Sequence, residues 1–283
     1  MSFADARTRT VVAAGAELVY RELGADNDGD GDGDGGVPLV GLTHLGANLD
    51  SWDPELVDPL AQDRRVILLG YRGVGASTGT VRDRFEDMAA DAIAALGALG
   101  LSRVDLFGLS MGGMVAQEIL RQAPGLAERV ILAGTGPQGG PGLTAMTGVT
   151  LRTVLRAGVT FADPTTLLFF TLTPTGRRAA TTYRARLTRR STGRDKPVAP
   201  GVFRAQLEAV SRWGHQQQAS SMFAGPVLIV HGDSDRMVPP ANADALRERY
   251  PGAEVHVYTD SGHGVAFQNR HSVTDTATRF LRR

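Results

Sequence analysis

Ser110 has the sequence surroundings that nucleophilic catalysis requires. It lies in Gly108-Leu109-Ser110-Met111-Gly112-Gly113, a G-x-S-x-G pattern between an apolar run and a helix-like run. At such a strand-to-helix turn the hydroxyl projects from the sheet edge, and the flanking glycines leave room for the backbone. The N-terminus of the following helix adds N–H groups near a developing oxyanion. We predict a nucleophile, whereas the alternative is a tight turn that only packs helix on sheet.

A serine hydroxyl needs a base that removes its proton, and the chain has six histidines. His263 lies in the loop Asp260-Ser261-Gly262-His263-Gly264, close to the end of the chain, where two glycines give the ring freedom to reach the serine. His231 and His256 lie in apolar strands, and His215 and His271 have polar, helix-like neighbours. Those surroundings favour structural or surface positions, so we predict His263 as the general base.

The third member should be a carboxylate that accepts the imidazole N–H and stabilises the imidazolium. The segment HGDSDRMVP follows an apolar run and offers Asp233 and Asp235. We favour Asp235 because it lies deeper in the loop, which leaves Asp233 to cap the turn. Both carboxylates stay open at this point.

Strands and helices alternate along most of the chain, which predicts an α/β fold with a mostly parallel central sheet and helices on both faces. The predicted strands are Thr10 to Ala14, Glu17 to Leu23, Val37 to Thr43, Arg65 to Leu69, Val104 to Leu109, Val130 to Ala133, Val227 to Val230 and Val255 to Tyr258. One predicted helix starts at Asp53-Pro54. The others cover Phe85 to Leu99, Met111 to Gln122, Asn242 to Tyr250 and Ser272 to Leu281.

The alternation breaks between Pro137 and Phe223. We therefore predict a core formed by residues 1–136 and 224–283, with a helical lid at residues 137–223 inserted after the sixth strand. Such a lid would cover the carboxyl ends of the strands, where open α/β sheets bind their ligands.

The predicted lid has two features that bear on substrate choice. Its apolar cluster either lines an acyl pocket or forms the lid's own core; the cluster consists of Leu167, Leu168, Phe169, Phe170 and Leu172. From this region we take Leu168, Phe169 and Trp213 as substrate contacts. Between residues 151 and 200, nine arginines and one lysine face only two aspartates. That excess either attracts a carboxylate, a phosphopantetheine carrier or coenzyme A, or is a solvated face.

Composition narrows the possible classes of protein. The 283 residues fit one large domain, and 30 basic residues balance 30 acidic ones, which disfavours nucleic-acid and membrane-surface binding. The absence of cysteine excludes disulfides and thiolate metal sites. The Asp/Gly-rich stretch at residues 24–36 lacks calcium-loop spacing, so we expect a mobile acidic loop and no metal. We also expect no cofactor. No secretory signal or membrane span is evident, which predicts a cytoplasmic protein.

Together these motifs resemble the α/β-hydrolase superfamily over most of the chain. LTHLGANLDSW resembles the family's loop after the third strand, and GYRGVGAST resembles its aspartate-arginine-glycine turn, with Tyr71 in place of the usual aspartate. The family's loop has His-Gly before an oxyanion-hole donor. Alignment on Trp52 makes the Leu45 N–H that donor, with the Met111 N–H as its partner, whereas alignment on His44 makes it Gly46. We also take His44 as a substrate contact.

The resemblance implies a carboxylesterase-like hydrolase that cleaves an ester, thioester or lactone through an acyl-enzyme, with a small-molecule acyl substrate. A methyl esterase or lactonase of secondary metabolism, cofactor-free perhydrolysis, carbon–carbon bond hydrolysis and acyl transfer to an alcohol are alternatives. A serine nucleophile disfavours haloalkane dehalogenase and epoxide hydrolase activity. From a different class, some members of this fold are small-molecule receptors with little turnover.

Overall fold

An eight-stranded sheet forms the centre of the computed structural model, which describes residues 2–24, 36–217 and 221–283. Its strands are β1 (Thr8–Ala13), β2 (Ala16–Leu23), β3 (Leu39–Leu42), β4 (Val66–Leu69), β5 (Val104–Leu109), β6 (Ala127–Ala133), β7 (Val227–Gly232) and β8 (Glu254–Tyr258). Their order in the sheet is β1-β2-β4-β3-β5-β6-β7-β8. Strand β2 pairs antiparallel with β1 and β4, and the other neighbours are parallel.

The central strands β3, β4 and β5 are short and mostly apolar, and every residue in them is buried. Such continuous burial is expected where helices cover both faces of a parallel sheet. All eight predicted strands agree with the observed ones to within three residues at either end. The Asp/Gly-rich stretch that we predicted to be a mobile loop lies, apart from its first and last residues, outside the described residues.

Ten α-helices lie in the described part of the chain. They are α1 (Pro54–Leu60), α2 (Phe85–Ala98), α3 (Met111–Gln122), α4 (Met146–Thr160), α5 (Pro164–Phe169), α6 (Pro174–Leu187), α7 (Pro200–His215), α8 (Ala241–Arg249), α9 (Val265–Gln268) and α10 (Arg270–Leu281). As predicted, Asp53 caps α1, since its carboxylate accepts the N–H of Glu55 at 3.0 Å. None of the described helices has the length and apolar character needed to cross a bilayer.

The crossovers between strands place the helices on opposite faces. Helix α1 joins β3 to β4, whereas α3 joins β5 to β6 in the opposite direction across the sheet. Because parallel crossovers are right-handed, opposite directions put the two helices on opposite faces. Helix α10 packs against α1, and α2 packs against α3. Both faces of the central strands are thereby covered.

Helices α4 to α7, here called the inserted helices, lie in sequence between β6 and β7, where the sequence predicted a helical insertion. A buried ion pair joins them to the strand-bearing part of the chain, since Arg186 Nη2 lies 2.6 Å and Arg186 Nε 2.8 Å from the carboxylate oxygens of Asp53. Just after α6, Arg190 donates to the carbonyls of Phe3 and Ala6 at 3.1 and 2.8 Å.

The arginines at residues 151–200 include some that pair with carboxylates and others that are exposed. Several of the arginines face carboxylates, namely Arg184 with Asp163, Arg186 with Asp53, Arg189 with Glu55, and Arg190 and Arg194 with Asp50. The excess is therefore partly neutralised. Others lie on the exposed faces of α4 and α6, namely Arg152, Arg156, Arg177 and Arg178.

Candidate active site

Ser110 occupies a strained turn between β5 and α3. Its backbone angles are φ 52° and ψ −114°, a conformation that costs energy for any residue with a Cβ. A Cβ on Gly112 would collide with the carbonyl of Leu42, and one on Gly108 with the backbone of Gly113, so only glycine fits at both positions. The Ser110 N–H donates to the Ala133 carbonyl at 2.8 Å, which fixes the turn against β6.

Three distant stretches of chain bring Ser110, His263 and Asp235 into one hydrogen-bonded row. His263 Nε2 lies 2.8 Å from Ser110 Oγ, and His263 Nδ1 lies 2.8 Å from Asp235 Oδ2. A carboxylate only accepts, so Nδ1 carries the proton and Nε2 is left to accept from the serine hydroxyl. All three residues are buried, with 4–5% of each exposed. The arrangement can therefore draw a proton from the serine.

The Asp235 carboxylate is fixed in place by its own loop. Its Oδ1 accepts the N–H groups of Met237 and Val238 at 2.8 and 2.9 Å, which leaves Oδ2 for His263. Asp233 instead accepts the N–H groups of Asp260 and Ser261, both at 3.2 Å. Of the two candidate carboxylates, it is Asp235 that contacts the imidazole, and Asp233 caps the neighbouring turn.

A second buried histidine, His231, lies beside Asp235, and this proximity was not predicted from the sequence. His231 Nε2 donates to the Val238 carbonyl at 2.9 Å and lies 3.6 Å from Asp235 Oδ2. Burial lowers the pKa of His231, so this ring stays neutral near Asp235. Its position was predicted correctly as structural, at the end of a buried strand.

The loop after β3 distinguishes between the two alignments of the oxyanion hole. The N–H of Gly46 already donates to the side chain of Gln206 at 2.8 Å. In the described part of the chain no acceptor lies against the N–H of Leu45. The N–H of Met111 begins α3, where a helix leaves its amides unpaired. Of the two amides that the alignments offer, the N–H of Gly46 is therefore engaged, and that of Leu45 has no acceptor among the described residues.

The Tyr71 side chain connects two loops near the site. Its hydroxyl donates to the carbonyl of Thr43 at 3.1 Å, which joins the loop after β4 to the loop that carries Leu45. Burial raises the pKa of the Tyr71 phenol, so it stays protonated and remains a donor.

A cavity that is partly open to solvent faces Ser110 and His263, and with its open mouth included it contains about 230 Å³ of empty space. It is lined by His44, Leu109, Ser110, Ala133, Phe169, His263, Gly264, Val265, Ala266 and Phe267. His44 and Phe169 therefore lie where the sequence predicted substrate contacts. Val265 and Phe267 were missed, although the apolar residues directly after Gly262-His263-Gly264 were a usable signal.

Two predicted substrate contacts do not line this cavity. Trp213 is buried elsewhere, where its indole donates to the Gly136 carbonyl at 3.2 Å and its ring meets that of Phe85 at 5.6 Å. Its size and apolar character serve the packing of α7 against α2. Leu168 is half-buried on α5 and packs against the hydrophobic core.

His44 lies at the cavity wall with one ring nitrogen unpaired. Its Nδ1 lies 2.9 Å from the carbonyl oxygen of Leu45, and its ring meets that of Phe169 edge-on at 4.8 Å. No hydrogen-bond partner for the buried Nε2 is present among the described residues. Burial lowers the pKa of His44 to about 4. The ring is neutral near pH 7, and Nδ1 carries the hydrogen because only a donor can face a carbonyl.

Comparisons with known proteins agree with this fold. The model of the family described as alpha/beta hydrolase fold matches residues 38–269. A poly(3-hydroxyalkanoate) depolymerase of Ectopseudomonas oleovorans is 26% identical over 86% of this chain and 84% of its own length. A non-heme haloperoxidase of Rhodococcus erythropolis is 25% identical over 94% and 96%. An alpha/beta hydrolase fold protein from Chitinophaga pinensis superposes with a TM-score of 0.91 at 28% identity, covering 99% of both chains.

Proposed function

Because the chain is a hydrolase of the alpha/beta hydrolase fold family, we propose that it cleaves a carboxylic ester, thioester or lactone through an acyl-enzyme on Ser110. One observation carries this proposal: the row of hydrogen bonds from Ser110 Oγ through His263 to Asp235 Oδ2. It opens on a cavity at the carboxyl ends of the strands, where open α/β sheets bind ligands.

In the proposed acylation step, Ser110 Oγ attacks the carbonyl carbon while His263 Nε2 takes its proton. Asp235 holds the ring in the tautomer that can accept at Nε2, and its charge stabilises the imidazolium that forms. His263 then gives the proton to the leaving alcohol or thiol. Since Asp235 is fixed by two backbone amides, the ring needs little reorganisation before the transfer.

The tetrahedral intermediate places negative charge on the former carbonyl oxygen. We assign its stabilisation to the N–H groups of Leu45 and Met111, and each such donor typically lowers the barrier by about 3 kcal/mol. The Met111 amide adds the positive end of α3. Water, activated by His263 in the same way as the serine, then attacks the acyl-enzyme and releases the acid.

We further propose that the inserted helices form the lid predicted for residues 137–223, over a core of residues 1–136 and 224–283. Phe169 supports this role, because it ends α5 and lines the cavity beside His263. The N–H of Gly264 donates to the Phe169 carbonyl at 2.7 Å, which connects α5 to the loop of the histidine. The cytoplasmic location and a carrier-bound or anionic substrate stay predictions from the sequence.

The resemblance to a non-heme haloperoxidase favours one alternative. If hydrogen peroxide replaced water at the acyl-enzyme, the product would be a peracid and the same residues would act. Peracid formation from acetate and peroxide, followed by halide oxidation, measures this activity. A rate of peracid formation well above that of ester hydrolysis would favour perhydrolysis.

Ser110→Ala tests the proposed function. We expect the wild-type protein to hydrolyse a panel of p-nitrophenyl esters, thioesters and lactones and to be labelled by a fluorophosphonate. Ser110→Ala should lose both activities, whereas Ser102→Ala, at an exposed serine before β5, should keep both. Labelling that survives Ser110→Ala would overturn the assignment. Tight ligand binding by the wild type without turnover would instead favour a receptor.

A further inference from the structure

The cavity contains a hydrogen-bond acceptor that the proposed mechanism does not use. His44 is 8% exposed, and its Nε2 is buried without a partner among the described residues. Its Nδ1 hydrogen is already committed to the Leu45 carbonyl at 2.9 Å, so Nε2 presents an unshared electron pair. A buried polar atom without a partner is costly, and such atoms in native structures call for an explanation.

Neither of the catalytic groups can supply the missing hydrogen. The serine hydroxyl of Ser110 is committed to His263 Nε2, and the His263 Nδ1 hydrogen is committed to Asp235. The remaining cavity residues are apolar or glycine, namely Leu109, Ala133, Phe169, Gly264, Val265, Ala266 and Phe267. The missing donor must therefore come from a molecule that enters the cavity, either a water molecule or a polar group of the substrate that takes its place.

We propose that His44 Nε2 accepts a hydrogen bond from a hydroxyl group on the acyl part of the substrate, and so selects hydroxyacyl esters over their deoxy analogues. This inference rests on the proposed function. His44 directly precedes Leu45, the assigned oxyanion-hole donor, and lines the same cavity as Ser110. The hydroxyl therefore lies within a few bonds of the reacting carbonyl, as in a 2-hydroxyacyl or 3-hydroxyacyl group.

A hydroxyl fits this site better than an amide N–H. An amide carries a carbonyl oxygen that must also find a donor when it is buried. The cavity offers no side-chain donor besides those of Ser110 and His263, which the reaction uses. A hydroxyl needs only one acceptor, and its carbon chain can pack against the rings of Phe169 and Phe267.

The role of His44 differs from that of the catalytic residues. As a neutral acceptor it cannot stabilise an oxyanion, and it does not contact Ser110 or Asp235 through any hydrogen bond of the described chain. Its effect should therefore appear in the ratio of kcat/KM between two substrates. A substrate without the hydroxyl leaves Nε2 unpaired, which typically lowers kcat/KM by about 10- to 100-fold.

The test compares three methyl esters, namely 3-hydroxybutanoate, butanoate and 3-methoxybutanoate, in the wild type, His44→Leu and His44→Gln. The methoxy ester keeps the oxygen but has no donor hydrogen. We expect the wild type to prefer the hydroxy ester and His44→Leu to lose that preference by about 10- to 100-fold. Methyl 2-hydroxybutanoate, run in parallel, locates the preferred hydroxyl. His44→Gln, whose amide oxygen can accept in place of Nε2, should restore a preference for a hydroxy ester.

The ratio of kcat/KM between two esters is taken within each variant. An effect of the substitution on the oxyanion loop acts on both esters and therefore cancels in this ratio. If His44→Leu lowers kcat/KM for all the esters by the same factor, His44 only positions Leu45 and the proposal is wrong. A wild type that prefers methyl butanoate or the methoxy ester would also overturn it. Thermal unfolding of each variant verifies that the fold persists.

Failure of the proposed function gives a different result. In that case the wild type hydrolyses none of the esters, and Ser110→Ala is no less active. The acceptor is then measured by binding alone, with the same esters titrated into Ser110→Ala and into Ser110→Ala with His44→Leu. Tighter binding of a hydroxy ester that disappears with His44→Leu supports the acceptor site, and equal binding of all the esters overturns it.

Discussion

The loops at the strand ends and the inserted helices are held in place by different interactions. Ser110 and Asp235 are fixed by backbone amides and carbonyls of their own and neighbouring strands. The inserted helices are joined to the rest of the chain by buried guanidinium groups, as in the pair of Arg186 with Asp53. Short-range backbone contacts suit a site whose atoms must not move, because catalytic geometry tolerates little displacement.

The inserted helices themselves are fixed unequally. Arg186 and Arg190 anchor α6 and the turn after it. In contrast, α4 and the residue that follows it expose large apolar side chains, with Leu155, Val159 and Phe161 at 71%, 81% and 98% exposure. Segments with few buried contacts open at a lower free energy than the global unfolding reaction. We therefore expect α4 to exchange its amide hydrogens before α6 does.

Asp235→Asn should produce the largest effect. An amide in place of the carboxylate favours the wrong imidazole tautomer, and we expect kcat to fall by about 10⁴-fold. Asp233→Asn is the matched control in the same loop and should stay within about 10-fold of the wild type. Asp233 accepts hydrogen bonds from Ser234 Oγ and from the N–H groups of Asp260 and Ser261, and none from His263. Steady-state hydrolysis of an ester measures both. If Asp233→Asn lost more activity than Asp235→Asn, the two roles would be exchanged.

Arg186→Met should destabilise the protein by about 3–5 kcal/mol, because it leaves the Asp53 carboxylate buried without its partner. Arg184→Met, two residues earlier, removes an exposed guanidinium 3.7 Å from Asp163 and should cost less than about 1 kcal/mol. Urea unfolding measures both. Asp53→Asn added to Arg186→Met should recover part of the loss. Equal costs for the two arginines would contradict the difference between buried and exposed anchors.

His44 makes the strand-end region sensitive to acid. The pKa of His44 is about 4 in the folded protein, whereas its ordinary value is 6.5. Between pH 4 and pH 6.5 the unfolded chain therefore binds a proton at this histidine that the folded chain does not. Stability is therefore lost as the pH falls from 6.5 towards 4. When the pH is lowered from 7 to 4.5, the wild type should lose about 2–3 kcal/mol more free energy of unfolding than His44→Leu loses. The same loss in both proteins would show that His44 is not buried and neutral.

The smallest effect is expected at the end of α4. Phe161 is fully exposed at φ 52°, in the left-handed region where glycine has no steric penalty. Phe161→Gly should raise the free energy of unfolding by about 0.5 kcal/mol. Leu155→Gly, inside the same helix, should lower it by about 1 kcal/mol. Thermal unfolding measures the stability of both variants. A loss of stability in Phe161→Gly would contradict the expected strain at this position.

The sequence by itself indicated the parts of the site that depend on local geometry. Glycines at 108 and 112 are required by the turn around Ser110, and that requirement is local, so the motif could be recognised. His263 and the pair Asp233 and Asp235 follow neighbouring parallel strands, whose carboxyl ends must meet at one edge. The fold class, the strands and the row of three residues were accordingly predictable.

Tertiary structure alone decided which backbone amides and side chains face the cavity. Gly46 is engaged by Gln206, 160 residues further along the chain, which leaves Leu45 as the candidate donor. Trp213 and Phe169 are both large apolar residues of the inserted segment, yet only Phe169 reaches the cavity. The pairing of Arg186 with Asp53 spans 133 residues and makes this arginine a buried anchor, which is neither of the two roles that the sequence predicted for the arginine excess. Such contacts depend on where distant segments pack, and composition and local periodicity do not encode that placement.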